Sequence, residues 1–413
     1  MKIIGLMSGT SHDGVDAALV EVTPVRGQGS GVGTREFGSN NKDSRGQVFK
    51  GSSILKPLEP SNPRILESYP IEVRLISHVH INYPKSLREE ISRAFDGDTE
   101  RICRLNFTLG EIFAEAALSL LRSSDIKPND VDAIASHGQT IYHIPPSGRK
   151  MGSTLQIGEA SIIAERTGIL TISDFRTRDM AAGGHGAPLV PLADYLLFRK
   201  EGQTRAILNI GGIANATIVK EGISDTIAFD IGPGNSLIDE AAKIYSAGRS
   251  SFDKNGSMAK SGKPDSNLLD KLLSHPFFKK RPPKSTGREV FGTAFLRKVL
   301  KRNTKLTRQD MLSTLTYLTA ISIYNAITPF QPDEVIVTGG GTKNLFLMSL
   351  IKGKFGERGI VVNNISVYGI PPEAKEAISF AILGYQTLMG NPGNLPNATG
   401  AKHSVVLGKI TLK

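Results

Sequence analysis

Two stretches, KIIGLMSGTSHDGVDAALV (Lys2–Val20) and RAILNIGGIANATIVK (Arg205–Lys220), decide the fold. In each, a short apolar run enters a loop of glycine and small polar residues and leaves it in a second β-prone run. Lys2–Ser8 is followed by Val15–Val22, and Arg205–Ile210 by Ile213–Lys220 across the tight pair Gly211-Gly212. Both read as strand, turn, strand. Working outward from the first, Glu72–Ile81 is a third strand, Leu87–Phe95 and Ile102–Leu121 are helices, and Val131–Tyr142 is a strand. Helix Glu159–Thr167, strand Ile169–Phe175 and helix Leu189–Phe198 complete the half. Working outward from the second, strand Asp225–Asp230 precedes a long helical region, Ser236–Ile327. Strand Glu334–Thr338, helix Asn344–Lys352, strand Ile360–Ser366 and helix Glu373–Leu388 follow. Counting the helical pair once, both halves read βββαβαβα. That duplication predicts two similar α/β lobes, residues 1–200 and 201–413, facing each other across a cleft, with the final helix packing across the hinge. Residues 24–63, rich in Gly, Ser, Asn, Pro and Lys, read as a mobile surface insertion with few core contacts.

Composition narrows the function classes. A chain of 413 residues with 39% hydrophobic content can bury a sizeable core, which excludes a disordered or collagen-like chain. One cysteine excludes an internal disulfide and fits a reducing compartment; Cys103, within a helical stretch, reads as a buried apolar thiol. No apolar run is long enough to span a bilayer, and Asp13 interrupts the N-terminus before a signal-peptide core could finish, so the expected location is cytoplasmic, with no membrane partner. The net charge of +11 gathers partly at Lys279, Lys280, Arg281, Lys284 and Arg288, where it can attract an anionic ligand. Without a nucleic-acid reader motif or an aromatic-interleaved basic stripe, no nucleic-acid partner is expected. A homodimer stays open.

Neither GxxxxGK[ST] nor a strand-to-helix GxGxxG is present, so any phosphate is held differently. Three loops that follow strands are suited to hold one, namely GTSHDGVD (Gly9–Asp16), GGIAN (Gly211–Asn215) and GGGTKN (Gly339–Asn344). Backbone N–H groups flanked by glycine can approach an anion closely, although any one of these loops alone also reads as a hairpin turn. Asp230 in FDIGPGN (Phe229–Asn235) is either a turn-initiating residue or a general base at the cleft mouth. Asp13 is either a turn residue or an oxygen ligand for Mg²⁺. Helix-dipole compensation alone could explain Glu376. His137 and His185 read as hydrogen-bonded structural residues or as groups facing the cleft. Asp174, Arg176 and Asp179 in DFRTRD form a charged knot: a structural ion pair, or a setting in which Arg176 clamps a polar substrate.

From GLMSGTSHDGVDAAL (Gly5–Leu19) the sequence resembles the anhydro-N-acetylmuramic acid kinase family. The resemblance continues through SHGQT (Ser136–Thr140), TLQIGEA (Thr154–Ala160), DFRTRDMAAGGHGAPLVP (Asp174–Pro191), LNIGGIAN (Leu208–Asn215) and AFDIGPGN (Ala228–Asn235). KSTGREVF (Lys284–Phe291), VTGGGTKN (Val337–Asn344) and IPPEAKEA (Ile370–Ala377) extend it, so that it covers nearly the whole chain except the insertion. The chain departs from the family at His12, commonly Leu or Met, and at Ile231, commonly Thr or Cys.

The resemblance implies the two-lobed fold of sugar kinases, Hsp70 and actin, with ATP and Mg²⁺ as cofactors. It also implies a double reaction. Water activated by Asp230 adds to the anomeric carbon of 1,6-anhydro-N-acetylmuramic acid, and the released O6 takes the γ-phosphoryl of ATP, as in peptidoglycan recycling. On the same basis Gly9, Thr10, Ser11, His12, Asp13, Gly14, Val15 and Asp16 form the ATP-phosphate loop, with Asp13 as the Mg²⁺ contact. Gly211, Gly212, Gly339, Gly340, Gly341 and Asn344 bind the nucleotide from the second lobe, and His137, Arg176 and Glu376 line the sugar pocket. Levoglucosan kinase, a related enzyme, keeps most of these motifs, but GLMSGTS and DFRTRDMAAGGHGAPLVP resemble the muramic-acid branch more closely. A non-catalytic nucleotide-dependent binding protein is the remaining alternative.

Overall fold

A computed structural model describes residues 1–9, 13–25, 71–148 and 150–413; the insertion expected at 24–63 therefore lies, apart from Pro24 and Val25, outside the described residues. The first sheet is built from β1 (Lys2–Ser8), β2 (Gly14–Pro24), β3 (Ile71–Asn82), β4 (Ala133–Ile144), β5 (Ser153–Ile157) and β6 (Thr171–Ser173). The second contains β7 (Arg205–Ile210), β8 (Ile213–Val219), β9 (Ile227–Pro233), β10 (Glu334–Thr338) and β11 (Val361–Asn364), and β12 (Lys409–Thr411) returns to the first. The spatial orders are β12-β6-β4-β1-β2-β3, with β5 on β4, and β11-β10-β7-β8-β9. Omitting β5 and β12, the two orders superimpose strand for strand. So do the directions: β1/β2, β2/β3, β7/β8 and β8/β9 are antiparallel, while β1/β4, β4/β6, β7/β10 and β10/β11 are parallel. The duplicated mixed α/β architecture expected from the sequence is present.

The patterning explains the placement. β10 (EVIVT) is buried at every position because it lies between two parallel neighbours with both faces covered. Helix Thr99–Ser123 buries the stripe Leu105, Leu109, Phe113, Ala116, Ala117, Leu120 on one face of the first sheet. Helices Arg308–Ile327 and Leu345–Gly356 do the same on the second. Helix Lys375–Leu388 is buried on nearly all sides, the pattern of a central helix. It lies on β1, β2 and β4 of the first sheet, so close that a Cβ built on Gly5 would overlap the Ala377 carbonyl. Its core cluster joins Ile3 and Ala135 of the first sheet to Ile207, Val219 and Ile336 of the second. One apolar core thus runs through both lobes by way of this helix and helix Val190–Phe198. At its centre, Lys375 Nζ lies 2.7 Å from Asp194 Oδ1, and Asp194 Oδ2 accepts from Thr217 Oγ1 at 2.6 Å.

Several elements differ from the reading. The region 236–327 is divided into helices Ser236–Tyr245, Ser257–Ser261, Ser266–Leu273, Pro276–Lys279, Thr293–Arg302 and Arg308–Ile327. Pro264, Pro276 and the pair Pro282-Pro283 fall at the breaks, where proline cannot continue a helix. The strand expected to Phe175 stops at Ser173, because Asp174 turns left-handed (φ 60°) and helix Phe175–Ala181 begins. β5, β12 and that helix carry too few residues to show a period. Cys103 is exposed, not buried: it falls out of phase with the Leu105–Leu109–Phe113 stripe, and helical phase overrides the thiol's apolar character.

Candidate active site

The end of β1 is fixed by a buried polar cluster. Ser8 Oγ accepts from Tyr83 Oη at 2.9 Å and lies 2.7 Å from Gln139 Oε1 and 3.1 Å from the Gly14 carbonyl. Burial pushes the Tyr83 phenol up, so it stays a donor. Gln139 Nε2 reaches the Gly9 and Thr140 carbonyls at 3.4 and 3.2 Å, and Tyr83 N–H donates to the Asp13 carbonyl at 2.8 Å. Both ends of the Gly9–Asp13 loop are therefore held, while Thr10, Ser11 and His12 lie outside the described residues. Asp13 is exposed at the loop's end. Gly14 and Val15 belong to β2, paired with Asn82 and Ile81, and the Val15 side chain is in the core; they frame the loop without lining it. Asp16 Oδ1 is approached by two imidazoles, His80 Nδ1 at 2.9 Å and His78 Nε2 at 3.3 Å. The HVH spacing of β3 puts both rings on one face, a period-2 signal that sequence reasoning missed.

Arg176 and His137 explain each other's state. Arg176 Nε and Nη2 lie 3.1 and 2.8 Å from His137 Nε2, and Nη1 donates to the Gly186 carbonyl at 2.7 Å. A guanidinium only donates, so Nε2 must be the acceptor and Nδ1 carries the proton, which it gives to the Gly138 carbonyl at 2.8 Å. Burial and the neighbouring Arg176 charge hold the His137 pKa down at about 3. Burial brings Arg176 down to about 10, with Glu376 and Asp179 opposing, so it remains a cation at neutral pH. Glu376, in the first turn of helix Lys375–Leu388, faces this cation with its side chain exposed. Protein atoms crowded around its carboxyl raise its pKa, Lys375 and Arg176 oppose the rise, and Asp16 adds to it. Water in contact with the exposed carboxylate moderates the desolvation. Lys343 of the second lobe pairs with Glu373 at 2.9 Å. Asp16, His137, Arg176 and Glu376 thus form one cluster. His185 is held through its backbone N–H, which donates to the Thr399 carbonyl at 2.8 Å.

In the second lobe, the turn at Gly211–Gly212 and the turn that follows β9 are hydrogen-bonded to each other. Gly234, Asn235 and Ser236 N–H groups donate to the Gly212, Gly211 and Gly212 carbonyls at 2.9, 2.8 and 3.0 Å. Gly339 takes φ 87°, and a Cβ there would overlap Asn209 Oδ1; only glycine lets the turn close on β7. Beside Gly340 a Cβ would meet nothing within 4 Å, so the backbone there is open. Asn344 caps helix Leu345–Gly356, its Oδ1 accepting from Leu347 N–H at 3.0 Å, which commits that oxygen to the helix.

Asp230 lies within β9, which runs on to Pro233, with the basic segment folded over it. Its Oδ2 accepts from Thr286 N–H at 2.9 Å, and its own N–H donates to the Lys284 carbonyl at 2.9 Å. Burial raises the Asp230 pKa, Glu289 adds to the rise, and the Thr286 N–H and Lys284 oppose it. Lys284 lies over the Phe277 ring at 4.7 Å. Asp239, in the first turn of helix Ser236–Tyr245, is pushed up to about 6 by burial, Asp253 adding and Arg288 opposing. Sequence reasoning missed Thr286, Glu289 and Asp239, although the first two lie within the KSTGREVF motif. The approach of Thr286 and Glu289 to Asp230 spans more than fifty residues of chain, and only the fold brings it about. The groups described around Asp230 all come from residues 201–413, whereas Asp16, His137 and Arg176 come from residues 1–200 and Glu376 joins them on helix Lys375–Leu388, which lies on the first sheet.

The family model for anhydro-N-acetylmuramic acid kinase matches residues 66–413. An anhydro-N-acetylmuramic acid kinase of Caldanaerobacter subterraneus subsp. tengcongensis is 42% identical over 426 residues, covering 99% of this chain and 96% of its own. One of Bacillus cereus (strain AH820) is 40% identical over 423 residues, covering 100% of this chain and 99% of its own. Among solved structures, (R)-2-hydroxyglutaryl-CoA dehydratase component A of Acidaminococcus fermentans aligns with TM-score 0.45 and 11% identity, over 94% of this chain and 99% of that one. That likeness is too distant to carry an argument.

Proposed function

We infer the activity from one premise: the chain belongs to the anhydro-N-acetylmuramic acid kinase family. It is an ATP-dependent kinase that opens the 1,6-anhydro ring of 1,6-anhydro-N-acetylmuramic acid and phosphorylates O6, giving N-acetylmuramic acid 6-phosphate. Full-length identity of 40–42% to kinases of that name carries this reading and does not favour levoglucosan kinase or a non-catalytic binding protein.

The residue roles are our proposal. Asp230 is the base that takes a proton from the water attacking the anomeric carbon. The Thr286 N–H fixes one carboxylate oxygen and so aims the other, and the raised pKa makes the carboxylate a better proton acceptor. As the bond from C1 to O6 breaks, O6 takes the γ-phosphoryl of ATP. An inverting glycosidase supplies a second acid for the leaving oxygen; here phosphorus captures it. Arg176, backed by neutral His137, and Glu376 orient the sugar. The Gly9–Asp13 loop and the Gly211–Gly212 and Gly339–Gly341 turns take the phosphates; the open backbone beside Gly340 leaves room for one. Mg²⁺ is bound by one or two carboxylates together with phosphate oxygens and water, so a single exposed Asp13 suits it as the protein contact. Bound there, Mg²⁺ neutralises phosphate charge.

The test is ADP release with 1,6-anhydro-N-acetylmuramic acid or levoglucosan, with the sugar product identified by mass. The muramic sugar should gain one water and one phosphoryl group with the higher kcat/KM. Equal or better efficiency on levoglucosan overturns the substrate. Asp230→Asn should lose at least about 10²-fold in turnover while folding normally, and near wild-type turnover removes Asp230 from the base role.

A further inference from the structure

Asp179, the last residue of the DFRTRD knot, is fully buried. Its Oδ2 accepts from the Gly186 N–H at 2.8 Å. Its Oδ1 accepts from Asn394 Nδ2 and Thr399 Oγ1, both at 2.7 Å, and both more than two hundred residues away along the chain. A buried carboxylate needs such donors, because ionised groups out of water are tolerated only when hydrogen-bonded or paired. The same tail segment grips the loop after Asp179 twice more: His185 N–H donates to the Thr399 carbonyl at 2.8 Å, and Lys402 N–H donates to the Ala182 carbonyl at 2.9 Å. The loop so held presents the Gly186 carbonyl, which accepts from Arg176 Nη1 at 2.7 Å. The fork of Arg176 is fixed on one side by His137 and on the other by Gly186, and Gly186 stands where Asp179 and the tail put it.

We infer that the segment Asn394–Lys402 is a strap that positions Arg176 for the sugar, with Asn394 and Thr399 acting through Asp179 and Gly186. The inference rests on Arg176 being a sugar-binding residue. A planar, preset fork loses affinity when its anchor shifts, because the bidentate geometry is what it contributes. Neither Asn394 nor Thr399 is a catalytic residue; both are positioning residues. The segment also touches the second lobe, where Asn397 Nδ2 donates to the Ser224 carbonyl and helix Pro396–Thr399 packs on β9, but Asn394 and Thr399 themselves act on Asp179, so their loss should separate sugar binding from ATP binding.

The experiment is steady-state kinetics on the full chain, varying 1,6-anhydro-N-acetylmuramic acid and ATP separately, for Thr399→Val, Thr399→Ser, Asn394→Leu and Arg176→Met. Removing one donor to a buried carboxylate should raise the sugar KM about tenfold in Thr399→Val and in Asn394→Leu, with the ATP KM within about twofold of wild type. Thr399→Ser keeps the hydroxyl and should stay near wild type. The inference is overturned if folded Thr399→Val and Asn394→Leu keep the wild-type sugar KM, if both KM values rise together, or if Ser and Val behave alike. If only one of the two donor variants folds, that one decides. If neither folds, the tail is a folding element and the inference fails. Arg176→Met separates the two readings: an unchanged sugar KM there removes Arg176 from the pocket. A raised one beside a normal Thr399→Val removes the strap alone.

Discussion

His137 gives a prediction whose size follows from the structure. Its ring is buried, accepts from Arg176 and is held near pKa 3, against 6.5 for a free histidine. Because the native-state value is depressed, the site's contribution is fully present above the unfolded value and is lost as pH falls toward the native one. At pH 5 the unfolded chain protonates this histidine and the native chain does not. Over that 1.5-unit span below 6.5 the loss is about 2 kcal/mol, at 1.36 kcal/mol per unit. His137→Gln keeps an acceptor for Arg176 and removes the titration. Urea unfolding at about pH 8 and about pH 5, read as midpoint and slope for both proteins, isolates the effect, since every other titrating group is shared. Wild type should lose about 2 kcal/mol more than the variant between the two conditions. Equal losses would show that His137 is not held neutral and refute the hydrogen-bond assignment. The same reasoning removes His137 from the acid limb of activity, because it stays neutral throughout the range in which a kinase works.

Glu289→Gln takes away a negative neighbour of Asp230, and Lys284→Met a positive one. The acid limb of kcat/KM, set by ionisation of the base, should move to lower pH in the first and to higher pH in the second; a limb that ignores both changes belongs to another group. Gly5→Ala should destabilise the protein by about 3 kcal/mol or more, since the methyl group meets the backbone of helix Lys375–Leu388 and neither partner is a flexible side chain; an unchanged urea midpoint would mean that the helix does not sit on β1. Lys375→Met leaves Asp194 buried without its cation and should cost about 3–5 kcal/mol, part of which the double variant with Asp194→Leu should recover. A double variant no better than the single one would leave the cost with some other contact of Lys375.

The order of elements along the chain was legible because it is written twice. The runs Lys2–Val22 and Arg205–Lys220 each show strand, glycine turn and strand, and a sheet sorts such hairpins with their following β-α units in only a few ways. Lone elements with no period were not legible. β5 and β12 become strands only because β4 and β6 offer edges to pair with, and Asp174 ends β6 through a backbone conformation that no composition shows. Among the candidate residues, loops and motifs could be read locally. What each polar group is committed to could not: Asn344 reads as a nucleotide contact and spends its Oδ1 on capping a helix, and Val15, which opens the second strand and also closes the loop motif, turns its side chain into the core. The partners of Asp230 and Asp179 arrive from distant sequence, so the charged knot DFRTRD could be noticed but not untied.

The placement of one helix ties these observations to the reaction. Glu376 comes late in the chain, within the half that builds the second sheet, yet the helix it opens lies on β1, β2 and β4 of the first. The neighbouring residue, Lys375, is locked to Asp194 on helix Val190–Phe198, and the tail beyond the helix pairs through β12 with β6 and straps the Asp179–Gly186 loop. Mechanically, then, Glu376, Arg176 and His137 all ride on the first lobe, although the chain contributes them from both halves. Asp230, with Thr286 and Lys284, rides on the second. If Asp230 is the base and Arg176 and Glu376 seat the sugar, as proposed, base and sugar seat stand on different sheets, and closure of the lobes on both ligands would bring the two into register. On this reading water meets an aimed Asp230 carboxylate and the anomeric carbon together only when the sugar is seated. That order suits an enzyme whose γ-phosphoryl acceptor, O6, exists as a nucleophile only after the ring has begun to open.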